Sequence, residues 1–525
     1  MKYLCSLFAV VFCLVSSPRY INSARILAVV PLDSKSHFIM FEAVMKSLAD
    51  AGHQVDVYSY FPQKRPYPNY TDITIGDINE TPAEVGLTYD LIHGQWSMKD
   101  IMIELGGNLP CQSLGHPQLQ KLIKSPPTDP PYDLVITESF YGSCWYAFGR
   151  HLKVPLVTLS TRSLLTFCNA PIGNPENTAF VSEIDDGSIL HMNFWQRFKN
   201  TLVTLWRNHE FNYDTAEVQS DIVKKYFGPH MPGVRELEQD VALILVNVHH
   251  ILNGIRPSTP AVVDIGGIHV KDDDTVLPTD LGKWLDDSTD GFIYFTFGSM
   301  IKIESFPKTT LAELYAGLAE IAPIRVLMKI IAPEELPPNL PDNVLIMKWI
   351  PQIKVLKHKN IRAFVTHGGA LSIQETLTFA VPVIGIPIFA DQPANIRNCV
   401  ERKIAVMLDY KSFTAEKFVE AVNATVYNPQ YKQNMVALSK KFLDRPLSLQ
   451  DTAVYWIEYI LKHGEDSLRS PALKLTWWQV ALLDVYGCIL TAFLIVLYLA
   501  KLILLTVLRH IVYAEKKFPT PKKTN

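Results

Sequence analysis

Short apolar runs rich in β-branched and aromatic residues recur along this chain, and stretches with apolar residues at helical spacing separate them. The pattern comes twice. The first run opens with "RILAVV" at Arg25 to Val30. In "SKSHFIMFEAVMKSLADAGHQ", Phe38, Phe41, Met45, Leu48 and Ala49 fall near helical spacing, and "VDVYSY" follows. That is a βαβ unit. "YDLVIT" (Tyr132 to Thr137) and "VPLVTLS" (Val154 to Ser160) read as further strands, and about Asn174 to Tyr226 reads as helical and irregular. The second run is cleaner: "FIYFTF", "RVLMKI", "NVLIMKW", "IRAFVT", "VPVIGIP" and "IAVML" read as strands, with helical patterns in most gaps. Such alternation predicts parallel sheets with helices on both faces. At 525 residues two domains are expected. The fold class is therefore α/β, with two doubly wound domains. Ligands bind such sheets beyond the carboxyl ends of the strands, so two facing edges make a cleft.

The two ends of the chain differ from this body. "MKYLCSLFAVVFCLVSSPRYINSA" has Lys2, an apolar core and small residues near Ser23 and Ala24, which reads as a cleaved signal over 1–24. Residues 25–270 form the expected first domain, 271–290 a charged, turn-rich linker, 291–465 the second domain and 466–484 a membrane-proximal segment. The apolar run from Val485 to Leu508, interrupted by Lys501, is long enough to cross a bilayer. Arg509, Lys516, Lys517, Lys522 and Lys523 follow it, which places the tail 509–525 in the cytoplasm and the body in a lumen. The terminal "KKTN" resembles a dilysine retrieval signal for the endoplasmic reticulum. Asn69, Asn79 and Asn423 each begin an Asn-x-Thr sequon, consistent with a lumenal body. Cys111, Cys144, Cys168 and Cys399 lie in that body without the spacing of a zinc site. One disulfide is allowed there, its pairing undecided. The formal net charge of −3 gives no reason to expect nucleic-acid binding.

Several candidate site residues fall at strand ends. Thr366, His367, Gly368 and Gly369 sit where "IRAFVT" stops and a helix begins. Backbone N–H groups there, with the helix dipole, suit a phosphate, and glycine permits close approach. His367 offers a hydrogen bond or a positive charge. Glu375, further along the helix, is within reach of a ribose hydroxyl. Gly298 and Ser299 follow "FIYFTF" at an equivalent place and offer a second phosphate contact. Asp391 and Gln392 follow "VIGIPIFA". They suit paired sugar hydroxyls, although Asp-Gln-Pro alone more often caps a helix. His37 follows the first strand at a helix start, and an imidazole can take a proton near neutral pH.

The stretch "WIPQIKVLKHKNIRAFVTHGGALSIQETLTFAVPVIGIPIFADQ" closely resembles the signature of the UDP-glycosyltransferases, and the likeness extends over nearly the whole chain. The resemblance implies the GT-B fold: two Rossmann-like domains, with the donor held mainly by the second. It implies that Trp349 stacks on uracil and Gln352 contacts the nucleoside, that Ser299 and His367 hold the diphosphate, that Glu375 binds ribose, and that Asp391 and Gln392 bind the sugar. It further implies that His37 is the catalytic base. Such a base needs a carboxylate to orient it. Glu138, directly after "YDLVIT", stands where the family often has Asp, and Asp33 is held in reserve. Many members have Asn two residues after Gly-Gly; this chain has Leu371, so a phosphate contact passes elsewhere, with Ser372 a substitute.

The expected chemistry is inverting transfer of a hexose from a UDP-sugar to a hydroxyl of a small lipophilic acceptor, without metal or further cofactor. Glucose is favoured and glucuronate is the alternative. Self-association stays open. Asp272 to Asp274 hold an Asp-x-Asp spacing but sit in the linker and read as a solvated loop. His249 and His250 read as structural, and Arg256 is a weaker contact for the donor phosphates. A nicotinamide or flavin oxidoreductase is disfavoured, because no Gly-x-Gly-x-x-Gly follows "RILAVV". A non-catalytic binding protein on the same fold is the remaining rival.

Overall fold

The computed structural model describes residues 23–76, 87–92, 94, 98–182, 192–271, 275–299 and 301–517. The signal segment up to residue 22, Asn79, Asp272 to Asp274 and the terminal lysines Lys522 and Lys523 lie outside these residues. The chain divides into two units, one ending at Arg469 and the other starting at Ser470.

The first unit holds two parallel sheets. Strands β1 (Arg25–Val29), β2 (Gln54–Ser59), β3 (Tyr70–Thr74), β4 (Leu134–Glu138), β5 (Leu156–Ser160), β6 (Val241–Val246) and β7 (Val262–Asp264) form one. Their spatial order is β3-β2-β1-β4-β5-β6-β7. Strands β8 (Phe292–Thr296), β9 (Arg325–Lys329), β10 (Val344–Met347), β11 (Ile361–Thr366), β12 (Val383–Gly385) and β13 (Ala405–Met407) form the other. That order is β10-β9-β8-β11-β12-β13. Each sheet has one point where the winding reverses, between β1 and β4 and between β8 and β11. Adjacent loops diverge there and leave a crevice.

Alternation along the strands explains why both sheets are covered on two faces. Leu27 and Val29 join one apolar cluster, Ile26 and Ala28 another. Ile293 and Phe295 are likewise separated from Phe292 and Tyr294. A strand has a period of two, so every other side chain enters the same layer.

Two boundaries differ from the sequence expectation. Helix Thr279–Asp286 lies inside the expected linker, yet Leu281 and Leu285 are buried against the second sheet. Helix Leu449–His463 lies inside the expected second domain, yet Ala453, Ile457 and Ile460 are buried on the first sheet beside Phe41, Met45 and Leu48. The i, i+4, i+7 stripe shows that this helix is packed, but not against what. The chain thus crosses back to its first domain before the unit ends. Cys111 and Cys144, 33 residues apart, form a disulfide. Both belong to the core layer under β1 and β4.

The second unit contains one helix long and apolar enough to cross a membrane, Leu483–Ala514. Its 32 residues extend past both ends of the expected span 485–508.

Candidate active site

Both winding reversals open into one cavity of about 880 Å³. Helix Lys35–Asp50 starts just after β1 and carries His37 in its first turn. Glu138 is the last residue of β4, the neighbouring strand at the reversal. His37 Nδ1 lies 2.5 Å from Glu138 Oε1. Glu138 therefore reaches the imidazole despite its extra methylene, and Asp33, an exposed residue of the cavity wall, is not needed for that role. Thr161, one residue past β5, donates to Glu138 Oε1 at 3.2 Å and lies 3.1 Å from His37 Nδ1. Phe140 meets the imidazole edge to face, with centroids 5.2 Å apart. The ring is thus fixed on its Nδ1 side, and Nε2 is left to serve a substrate. A carboxylate at Nδ1 selects the tautomer with a basic Nε2 and stabilises the imidazolium that forms.

The second reversal is built differently. Gly298 follows β8 and His367 follows β11, whose Thr366 is in register with Thr296. Gly298 has φ +77°, and a Cβ there would come 2.8 Å from His367 Cε1. Gly368 has φ +90°, and a Cβ there would meet Ile396 at 2.5 Å. Only glycine fits both constraints. Helix Ala370–Thr378 then begins without a side-chain cap, so its first N–H groups are open to an anion. Burial holds His367 well below its usual range, at about 4; Asp391 opposes this shift and Lys329 adds to it. The imidazole is therefore neutral near pH 7. A neutral imidazole can donate a hydrogen bond but brings no positive charge. Ser299 lines the cavity beside it.

Lys329 stands at the same turn. It ends β9, donates to the Gly298 carbonyl at 2.8 Å and lies 5.6 Å from the Trp349 ring centre. Burial lowers its pKa. The sequence offered one signal for it, a lysine closing an apolar strand next to the reversal.

Trp349 is 64% exposed and lines the cavity, an open face for a base to stack on. Tyr294 donates to Gln352 Oε1 at 3.1 Å, and Gln352 Nε2 donates to Ser372 Oγ at 3.2 Å and to Glu375. Ser372 Oγ thus accepts within the Gln352–Glu375 network, and Ser372 and Leu371 both line the cavity. His269 Nε2, arriving from the first domain's exit, lies 3.4 Å from Glu375 Oε1.

Asp391 precedes helix Gln392–Glu401 but makes no side-chain cap. Its Oδ2 accepts from Asn395 Nδ2 at 2.9 Å, and the same amide reaches the Gly368 carbonyl at 3.0 Å. Asn395, which sequence reasoning missed, thus ties the Asp391 carboxylate to the glycine loop. Gln392 Oε1 accepts from the backbone of Ile388 and Phe389, so its NH₂ remains for a ligand.

The other sequence candidates fall away from this centre. His249 accepts from Ile251 N–H, packs 4.9 Å from Phe442 and is lowered to about 3 by burial, which marks it as structural. Arg256 and His250 do not line the cavity among the described residues. Asn69 and Asn423 are both exposed, but Asn423 lies within helix Ala415–Tyr427 and the Thr425 hydroxyl is buried on Ala421 O. Among the described residues, no group of three or more His, Cys, Asp or Glu is placed to hold a metal ion.

Two solved structures share this architecture. One is described as the glycotransferase of kitacinnamycin, the other as the spinosyn forosaminyltransferase SpnP. Each has a TM-score of 0.54 and covers 83% of this chain; they cover 98% and 99% of their own chains at 17% and 16% identity. The fold is the GT-B arrangement of two Rossmann-like domains. The family model described as UDP-glucoronosyl and UDP-glucosyl transferase matches residues 120–518. UDP-glucosyltransferase 2 of Dactylopius coccus is 35% identical over 93% of this chain and 94% of its own. The human 2-hydroxyacylsphingosine 1-beta-galactosyltransferase is 28% identical over 88% and 85%. The chain belongs to the UDP-glucuronosyl and UDP-glucosyl transferase family, and it is a UDP-glycosyltransferase.

Proposed function

We propose that this enzyme transfers glucose from UDP-glucose to a hydroxyl of a small lipophilic acceptor, with inversion at the anomeric carbon. One observation carries the reading: His37 and Thr161, both bonded to the buried Glu138, and the His367–Lys329–glycine cradle line the same cavity from opposite sheets. In this reading His37 Nε2 takes the acceptor proton as the oxygen attacks the anomeric carbon. Glu138 stabilises the imidazolium. The bond to the β-phosphate oxygen breaks on the opposite side, and UDP receives the bonding pair. The neutral His367 donates to the departing diphosphate, while Lys329 and the N-terminus of helix Ala370–Thr378 balance its charge. Trp349 stacks on uracil, Gln352 and Glu375 hold the nucleoside, and Asp391 with Gln392 bind the sugar hydroxyls. No metal is required, because the charge on the leaving group is met by protein groups.

Glucose is favoured by the "ALSIQE" variant of the motif and by the likeness to UDP-glucosyltransferase 2 of Dactylopius coccus. The apolar wall of Leu32, Ile39, Met102, Leu105 and Phe140 favours lipophilic acceptors. The apolar helix Leu483–Ala514 fits a single-pass anchor, and the Cys111–Cys144 disulfide fits an oxidising lumen. Together with the tail lysines they favour an endoplasmic-reticulum membrane protein with its catalytic unit on the lumenal side. The test uses membranes carrying the full chain, phenolic acceptors, and UDP-glucose or UDP-glucuronate. A β-glucoside from wild type that disappears with His37→Ala is the expected result. Uronide formation in its place would overturn the donor assignment. UDP binding without any transfer would favour the binding-protein reading.

A further inference from the structure

Arg162 directly follows Thr161, the residue that touches both members of the His37–Glu138 pair, and it is among the residues that line the same cavity. The residue is only 9% exposed. Its Nε and Nη2 are closed off from solvent, and neither has a hydrogen-bond partner. A guanidinium remains charged at any working pH and presents its donors in a fixed plane. Buried charges of this kind are ordinarily paired. Nothing in the transfer step needs this group: His37 is oriented by Glu138, and the diphosphate is held from the other sheet. What an unpaired guanidinium fits best is a carboxylate, which accepts charge-assisted N–H···O bonds from it.

We propose that Arg162 is a carboxylate-recognition residue of this cavity, which gives the enzyme a preference for an acidic substrate. The inference rests on the transferase reading above and narrows it. Two substrates bring a carboxylate within reach of this wall: an aromatic acceptor bearing a carboxyl group beside its hydroxyl, or the C6 carboxylate of a hexuronosyl donor. The chemistry is the same, and the two arms of one experiment separate the sources.

The acceptors are 6-hydroxy-2-naphthoate and its methyl ester, which differ only in the charge. Each is assayed with UDP-glucose and UDP-glucuronate on membranes carrying wild type, Arg162→Gln or Arg162→Lys. The readout is a ratio of kcat/KM values, so general damage cancels. The expected result is at least a tenfold fall in one ratio with Arg162→Gln, partly restored by Arg162→Lys. A fall in the acid-to-ester ratio places the carboxylate on the acceptor. A fall in the glucuronate-to-glucose ratio, measured with the ester, places it on the donor. Ratios that change by less than tenfold overturn the proposal. An equal loss in all four assays with a displaced pH profile would show that Arg162 serves the His37–Glu138 pair. If wild type transfers nothing, the transferase reading fails by itself. Arg162 is then judged by dissociation constants for the acid and ester from naphthol fluorescence, against the same tenfold criterion.

Discussion

The two winding reversals share a topology and differ in almost everything else. At β1/β4 a buried carboxylate grips an imidazole, with an aromatic edge and an apolar wall around them. At β8/β11 a lysine, a neutral histidine and glycine turns surround open N–H groups. In the proposed reaction one edge accepts a proton and the other receives an anion. A fold thus supplies equivalent positions, and the side chains at them decide the chemistry.

Breaking the first edge should cost the most. His37→Ala is expected to lower kcat by about 10²- to 10⁴-fold, the usual range for a lost general base, as measured by product formation at saturating donor. Glu138→Gln keeps the shape but removes the charge on Nδ1; a loss of about 10- to 10³-fold is expected, with little change in KM for the donor. An unchanged rate would dissociate Glu138 from the mechanism.

The second edge predicts a pH effect. His367 is held near 4 in the fold, against about 6.5 when unfolded. Between those values the unfolded chain binds more protons, so stability rises with pH across that window and is lost as pH falls from about 6.5 towards 4. The contribution is on the order of 3 kcal/mol. The Tm of the detergent-solubilised chain should drop between pH 7 and pH 5, and His367→Gln should flatten that drop. A smaller effect sharpens the contrast between base and phosphate sites. Lys329→Met should weaken UDP binding about tenfold, a charge-assisted contact of roughly 1.5 kcal/mol, while uridine affinity stays within about twofold. Equal losses for both ligands would move Lys329 from the diphosphate to the Trp349 stack.

The motif residues were legible through their likeness to the family signature. His37, Gln352, His367, Glu375 and Asp391 all line the cavity where strand ends place them. Thr161 and Asn395 were not legible, and Lys329 only as a lysine closing an apolar strand, since each reaches a partner distant in sequence: Glu138, Gly368 and Gly298 respectively. The role of His367 was only half readable: residue type gives the hydrogen bond, but burial decides its charge. The same limit applies to the fold. Strands β3 and β7 are the two opposite edges of their sheet and part-exposed, and lack the apolar run that marked the central strands. The stripe on helix Leu449–His463 announced burial but carried no address, so the return to the first sheet appeared only in three dimensions.

The most direct test of this division is calorimetric titration of UDP into the purified full chain and its His37→Ala variant, alongside their transfer rates. If proton abstraction and donor binding reside on separate edges, the variant loses transfer by at least about 10²-fold and binds UDP within about twofold of wild type. A variant that loses UDP affinity in parallel with transfer would contradict the account, because His37 would then belong to the donor site.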